Sequence, residues 1–106
     1  MSLTGRQKRH LRGLGHHLNP VVQLGREGLT EAVARKLSVE LENHELVKVR
    51  VGDGCLDTPK ELADLLAAQS GSEAVQIIGH TILLYRRRAK EPTIVLPKAE
   101  APGHDD

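Results

Sequence analysis

Apolar positions near the start of the chain follow the spacing of a helix and then of a short strand. The helix is predicted to begin after Thr4, where Gln7 completes a capping-box pattern three residues later. Its apolar stripe consists of three leucines at i, i+3 and i+7 spacing, namely Leu11, Leu14 and Leu18. The pair Asn19-Pro20 ends this helix, and the apolar run over residues 21–24 predicts a strand.

The middle of the chain carries the clearest helical pattern, and strict alternation follows it. Residues 29–45 predict a helix because an aliphatic residue recurs every four positions, at Leu29, Val33, Leu37 and Leu41. Residues 46–51 alternate between two faces, which predicts a half-buried strand. One face holds Val47, Val49 and Val51, and the open face holds Leu46, Lys48 and Arg50.

The pattern after residue 57 predicts a third helix and a hairpin. Thr58 is the expected N-cap, and Glu61 completes a second capping box. The expected buried stripe of this helix is Leu62, Leu65 and Leu66. Residues 75–78 and 81–86 then predict two antiparallel strands joined by the two-residue loop Gly79-His80.

The order of these elements predicts an α/β fold. Helices and strands follow one another as α-β-α-β-α-β-β, so the strands should form a mixed four-stranded sheet with a final antiparallel hairpin. Each helix has one apolar stripe, which favours a two-layer helix-on-sheet domain. We assign residues 1–97 to this domain, with a candidate edge segment at residues 93–96, and expect residues 98–106 to form a polar, acidic, disordered tail.

Composition limits the class of protein. With 106 residues and a single cysteine, Cys55, the chain needs no disulfide framework and suits a reducing compartment. It shows no bilayer-spanning apolar run and no signal-peptide core, so we expect a soluble cytoplasmic protein without a membrane partner. Tyr85 is the one aromatic residue among Phe, Trp and Tyr, which argues against modules that stack bases on aromatic platforms.

The formal net charge of +1 hides a strong segregation of charge. Residues 1–26 hold five basic side chains and no acid, and residues 86–90 hold four basic side chains and no acid. By contrast, residues 27–85 hold five basic and ten acidic side chains. A polyanion responds to local patches, so the two basic blocks predict a nucleic-acid partner, provided that they meet in space.

The loop Gly25-Arg26-Glu27-Gly28 lies between the first strand and the second helix. It lacks the Gly-Lys-Ser/Thr of a phosphate-binding NTPase loop and the three glycines of a dinucleotide site. Two interpretations stay open. The glycines could simply end a strand and begin a helix, or the loop could clamp a sugar-phosphate backbone as in KH domains. In the second case Arg26 would pair with phosphate, and the amides near Gly28 and Leu29 would add donors.

The six histidines, Cys55 and the carboxylates form no catalytic or metal-ligating pattern. His16 and His17 are adjacent, so on a helix they point about 100° apart and make no i, i+4 metal pair. We therefore expect no enzymatic activity, metal, cofactor or small-molecule substrate. His10, within the basic helix, is the exception that could contact a phosphate or a base.

Three separated segments together resemble the YhbY family, small bacterial proteins with a single CRM domain. These are residues 18–30, 44–51 and 75–86, and the basic opening at residues 3–14 fits as well. The resemblance implies a fold similar to the C-terminal domain of translation initiation factor three. It also implies a non-enzymatic protein that binds structured ribosomal RNA during assembly of the large ribosomal subunit. We expect a monomer.

The resemblance also implies which residues contact RNA. Carried over by motif, they are the loop residues Gly25, Arg26, Glu27 and Gly28, the strand residues Lys48 and Arg50, the first-helix residues Arg6, Lys8, Arg9 and Arg12, and Arg86 at the end of the last strand motif. Glu27 departs from the family pattern. It puts an acid inside the loop, where the carboxylate repels phosphate. The alternative is a ribosome-associated interaction module whose basic face binds an acidic protein.

Overall fold

The three helices begin at the capping residues that the sequence predicts or close to them. The structure, a computed structural model, describes residues 3–98. Both capping boxes are present, Thr4 with Gln7 and Thr58 with Glu61. The elements are α1 (Gly5–Gly15), β1 (Pro20–Leu24), α2 (Glu31–His44), β2 (Leu46–Val51), α3 (Pro59–Ser70), β3 (Glu73–Ile78) and β4 (Thr81–Tyr85). The predicted order of helices and strands is confirmed.

The four strands form one mixed sheet in the order β1-β2-β4-β3. Strand β1 runs parallel to β2, and the other two pairings are antiparallel. The register pairs Leu24 with Val51 at one end of β2 and Tyr85 with Leu46 at the other. The hairpin loop starts with Gly79 in the left-handed region, at φ +55°, as a tight two-residue loop that begins with glycine requires.

The sheet is covered on both faces, so the domain has three layers where two were expected. Helices α2 and α3 pack on the face that carries Val47, Val49 and Val51, which we call the helix-pair face. Helix α1 packs through Leu11 on the opposite face, the α1 face, against Leu46, Val75, Leu83 and Tyr85. The sequence of β4 carries a signal for this, because the unbroken apolar run from Ile82 to Tyr85 is typical of a strand covered on both sides, and all four residues are buried.

Three of the leucines assigned to buried stripes are exposed. Leu14 is 43% exposed, Leu18 37% and Leu65 50%. Helix α1 meets the sheet through Leu11 and Gly15, and a Cβ on Gly15 would lie 2.8 Å from the side chain of Leu83. This close approach fixes which side of α1 is buried and leaves Leu14 outside the contact. On α3, Ala63 takes the buried position that was expected for Leu65.

The segment after β4 returns over the molecule without forming a strand, so the expected edge segment at 93–96 is absent. Instead, Ile94 and Leu96 pack against the cluster under α1, and Gln7 Nε2 donates to the carbonyl of Pro97 at 2.9 Å. The tail predicted at 98–106 lies, except for Lys98, outside the described residues. Within residues 3–98 no helix is long and apolar enough to cross a membrane.

Candidate nucleic-acid interface

The four residues of the glycine loop form a tight turn at the end of β1. The N–H of Gly28 donates to the carbonyl of Gly25 at 3.0 Å, which leaves Arg26 and Glu27 exposed at the two corners. Gly28 has φ +67°, where a side chain is strained. Because its amide is already donated within the turn, Gly28 does not offer the free phosphate donor that was expected of it.

Helix α2 begins later than predicted, which changes the anion-binding capacity of the turn. Thr30 is the N-cap, its Oγ1 accepts from the amide of Val33, and the first helical residue is the acidic Glu31. The glycine turn therefore lies before the helix N-terminus and does not form it. An acid in the first turn complements the helix dipole from within the chain, so less of that field is left for a bound anion.

The loop at residues 52–57 packs beside the glycine turn and brings further acids. The Gly52 amide donates to Leu24 O at 2.9 Å, and a Cβ on Gly28 would lie 3.2 Å from Asp57 Oδ2. Glu27 and Asp57 are both exposed, Glu27 next to Arg26 in the chain and Asp57 beside Gly28. The turn is thus a closely packed corner of mixed charge, and the stronger positive surface lies elsewhere.

That surface starts on β2, whose basic residues both lie on the α1 face. Lys48 is half-buried and Arg50 is exposed, two residues apart and so roughly 7 Å from each other along the strand. Arg50 pairs in register with Gln23 of β1 and Thr81 of β4. Helix α1 covers the start of β2 on this face, which leaves the Arg50 end open.

A groove between the C-terminal half of α1 and the open end of the sheet brings Arg12 and Lys48 together. It encloses about 530 Å³, and its walls include His16, Gln76, Ile78 and Thr81 besides the two cations. Gly15 and Leu83 form its floor. Neither the guanidinium of Arg12 nor the ammonium of Lys48 bonds to another side chain or carbonyl within residues 3–98. We call this feature the cationic groove.

The remaining cations of α1 differ in exposure and do not line the cationic groove. Arg6 and Arg9 are exposed, and Lys8 is half-buried. Helix α1 has no acid in its first turn and ends with Arg12 in its last turn. The structure therefore brings the basic helix and the basic strand together through Arg12 and Lys48. A shared binding surface requires that these two segments meet in space.

Arg86 is separate from this surface. Its guanidinium donates to Ser70 O at 2.8 Å and to Ser38 O at 3.0 Å, and it lies 3.5 Å from Glu42. It follows Tyr85, which pairs with the start of β2, whereas the glycine turn lies beyond the end of β2, roughly 17 Å away along the strand. Arg86 thus joins α2 to the end of α3, and the second basic block does not complete the groove.

Sequence reasoning missed four groove residues, His16, Gln76, Ile78 and Thr81. Strand alternation places Gln76 and Ile78 on one face, which was available as a signal. It could not be used without knowing that this face borders α1. Within residues 3–98 no three His, Cys, Asp or Glu side chains are grouped so that they could hold a metal ion.

Together these features define a small three-layer α/β domain with one cationic sheet face. Its residues 3–86 match the CRS1/YhbY (CRM) domain model, and the chain belongs to this family. A Haemophilus influenzae relative named RNA-binding protein is 41% identical over 92% of this chain and 97% of its own length. The Bacillus subtilis "Probable RNA-binding protein YqeI" is 40% identical over 90% of this chain and 99% of its own.

A solved structure has the same fold. The solution structure of the hypothetical protein SAV1595 from Staphylococcus aureus superposes with a TM-score of 0.78 at 43% identity. The match covers 91% of this chain and all of that protein. The expected family and element order are therefore confirmed.

Proposed function

We propose that this chain is a non-catalytic RNA-binding protein that contacts structured ribosomal RNA during assembly of the large ribosomal subunit. The observation that carries the proposal is the pair Arg12 and Lys48, two cations that face one groove and have no bonding partner among residues 3–98. Arg50 continues the same face toward the glycine turn. The names of the Haemophilus and Bacillus relatives support RNA as the polyanion.

The geometry favours different roles for the groove and the turn in RNA binding. The cations of α1 and β2 attract the phosphate backbone over a distance set by ionic strength. The turn then contacts the backbone at short range, where Arg26 can pair with phosphate and Gly25 leaves open space beside it. Because Glu27 and Asp57 repel phosphate, we assign to the turn positioning of the RNA and to the groove most of the affinity.

A salt titration of paired variants tests this assignment. We expect Arg12→Ala and Lys48→Ala each to weaken binding to a ribosomal RNA fragment about threefold to tenfold and to reduce the slope of log K against log salt by about one. Lys36→Ala is the matched control, because Lys36 is exposed on α2, which covers the opposite sheet face. Equal losses in all three variants, or a flat response to salt, would contradict the groove as the binding surface.

The ribosomal target needs a separate measurement in cells. Crosslinking followed by sequencing of the attached RNA should yield fragments of large-subunit ribosomal RNA precursors. Fragments spread over messenger RNA would reject the target and leave RNA binding itself intact. If the protein instead stays on ribosomal particles after RNase treatment, an acidic protein partner replaces RNA.

A further inference from the structure

The cationic groove combines charge and apolar surface in a way that phosphate binding alone does not require. Arg12 and Lys48 supply charge, while Ile78 is 63% exposed beside them on the same side of the sheet. Leu83 and Gly15 give the floor an apolar surface, and Gln76 and Thr81 add polar side chains between floor and rim. A site that bound only a phosphate backbone would not need an exposed isoleucine beside its cations.

We propose that this groove accepts one unpaired nucleotide of the bound RNA. The phosphate lies between Arg12 and Lys48, and the base packs on Ile78 above the floor. The volume of about 530 Å³ falls within the range of pockets that hold small organic ligands. The inference rests on the proposed function, and it specifies that the RNA carries a bulged or single-stranded nucleotide.

The chemistry of the groove favours an unpaired nucleotide over a continuous duplex. The bases of a duplex are stacked and present only their edges, so none of them can reach the floor between α1 and the sheet. An unpaired base has an apolar face that Ile78 can cover. Its exposed edge can bond to the amide of Gln76 or the hydroxyl of Thr81, which both donate and accept.

Composition favours an aliphatic contact for a base held in the groove. The chain has no Trp and no Phe, and Tyr85 is buried under α1. Platforms of Phe, Trp or Tyr, which usually stack unpaired bases, are therefore missing from the described surface, and the imidazole of His16 is the aromatic ring in the wall of the groove. Ile78 is the exposed aliphatic side chain that lies next to the cations of the groove.

Two adjacent isoleucines provide a matched test. Ile78 lines the groove, whereas Ile77 points to the helix-pair side of β3, pairs in register with Ile82 and is 37% exposed. Probes are four RNA hairpins with a single bulged A, C, G or U, and the same hairpin fully paired. We expect the wild-type protein to prefer at least one bulged hairpin over the paired one. Ile78→Ala should lower the affinity for that bulged hairpin about fivefold to tenfold. Ile77→Ala should keep the wild-type preference.

A second readout distinguishes loss of affinity through a lost apolar contact from loss of affinity through a lost charge. Ile78→Ala should leave the salt slope unchanged because it removes no phosphate contact, whereas Arg12→Ala should weaken binding to paired and bulged hairpins alike. A 2-aminopurine in the bulge should change its fluorescence on binding to the wild type and to Ile77→Ala, and much less with Ile78→Ala.

The failures of the two proposals are distinguishable. Salt-dependent binding with equal affinity for paired and bulged hairpins overturns the nucleotide pocket and leaves RNA binding in place. Equal losses of affinity for the bulged hairpin in Ile77→Ala and Ile78→Ala also overturn the proposal of a nucleotide pocket. Absence of salt-dependent binding to every hairpin rejects the proposed function together with the pocket.

Discussion

Glu45 shows how one buried carboxylate can organise a segment far along the chain. It ends α2 with φ +63°, and its side chain is fully buried. Its two oxygens accept from the amides of Arg88, Thr93 and Ile94 at 2.7 to 2.9 Å. Burial raises the pKa of Glu45, but these hydrogen bonds outweigh it and lower the pKa below its ordinary value of 4.5.

Glu45→Gln is expected to destabilise the domain by about 1–3 kcal/mol at neutral pH, because an amide cannot accept all these bonds with both of its polar atoms. The lowered pKa of Glu45 determines how its contribution to stability changes with pH. The stabilisation is present above the unfolded-state pKa and is lost as pH falls through the folded-state pKa. Urea unfolding should therefore show the difference from wild type shrinking below pH 4.5. Glu27→Gln, at an exposed corner, is the control, and a pH-independent difference would contradict this role for Glu45.

Tyr85 presents the opposite case, a buried polar group without compensation. Its hydroxyl has no hydrogen-bond partner among the described residues. Burial raises the pKa of Tyr85 above 10.0, and the negative charge of Glu45 raises it further. Any contribution of the neutral ring to stability is therefore present below the unfolded-state pKa and is lost as pH rises through the folded-state pKa.

Tyr85→Phe is expected to be neutral or slightly stabilising, because it removes an unpaired hydroxyl and keeps the ring. Tyrosinate absorbance should give one titration with a pKa above 10.0, and no other tyrosine overlaps it. Unfolding of the variant should lose its dependence on this titration at alkaline pH. A loss of more than about 1 kcal/mol would show that the hydroxyl is bonded.

At the level of elements, the two glycines of the turn have different tasks. Gly28 is in the left-handed region, and a Cβ there would meet Asp57 Oδ2 at 3.2 Å. A Cβ on Gly25 would meet nothing within 4 Å. Gly28 is therefore required by the backbone, whereas Gly25 leaves space at the surface.

We expect Gly28→Ala to cost about 1–2 kcal/mol of stability and Gly25→Ala to stay within about 0.5 kcal/mol of wild type. Thermal unfolding of the two variants measures this difference directly. If RNA approaches the turn closely, Gly25→Ala should still weaken binding while leaving stability unchanged. Equal melting temperatures for the two variants would contradict the strained conformation of Gly28.

Local features of the elements were predictable, and features set by tertiary contact were not. The capping boxes at Thr4 and Thr58 depend on residues three apart, so the sequence alone predicts them. The exposed position of Leu14 depends on where α1 crosses the sheet, which the contact of Gly15 with Leu83 decides. A helical stripe cannot reveal that crossing point.

In the candidate site, too, some features were predictable from the sequence and others depend on tertiary contacts. Alternation correctly placed Lys48 and Arg50 on one face of β2. The meeting of Arg12 with Lys48 depends on the third layer, which periodicity did not predict. Arg86 looked equally basic in the sequence, yet the carbonyls of Ser38 and Ser70 occupy its guanidinium. Charge counting cannot separate a cation that faces solvent from one that joins two helices.

At the scale of the whole molecule, charge distribution predicts a role for the last residues of the sequence. The hydrogen bond from Gln7 to the carbonyl of Pro97 holds Pro97 beside α1. Residues 99–106 contain three acids and no Lys or Arg. Eight residues span at most roughly 29 Å when extended, and the eleven residues of α1 span roughly 17 Å. On chain length and charge, we expect these acids to compete with RNA phosphate for the cations of α1.

Truncation after Lys98 removes three acids and raises the formal net charge from +1 to +4. We expect the truncated protein to bind RNA several-fold more tightly and to associate faster at low salt, because fewer negative charges oppose the approach of phosphate. The gain should fade as salt is raised, since exposed charges are screened within about 8 Å at physiological ionic strength. A full-length variant with Glu100→Gln, Asp105→Asn and Asp106→Asn separates charge from chain length and should reproduce the gain. If neutralisation has no effect while truncation does, the segment acts by occupying space, and its acids are not competitors of RNA.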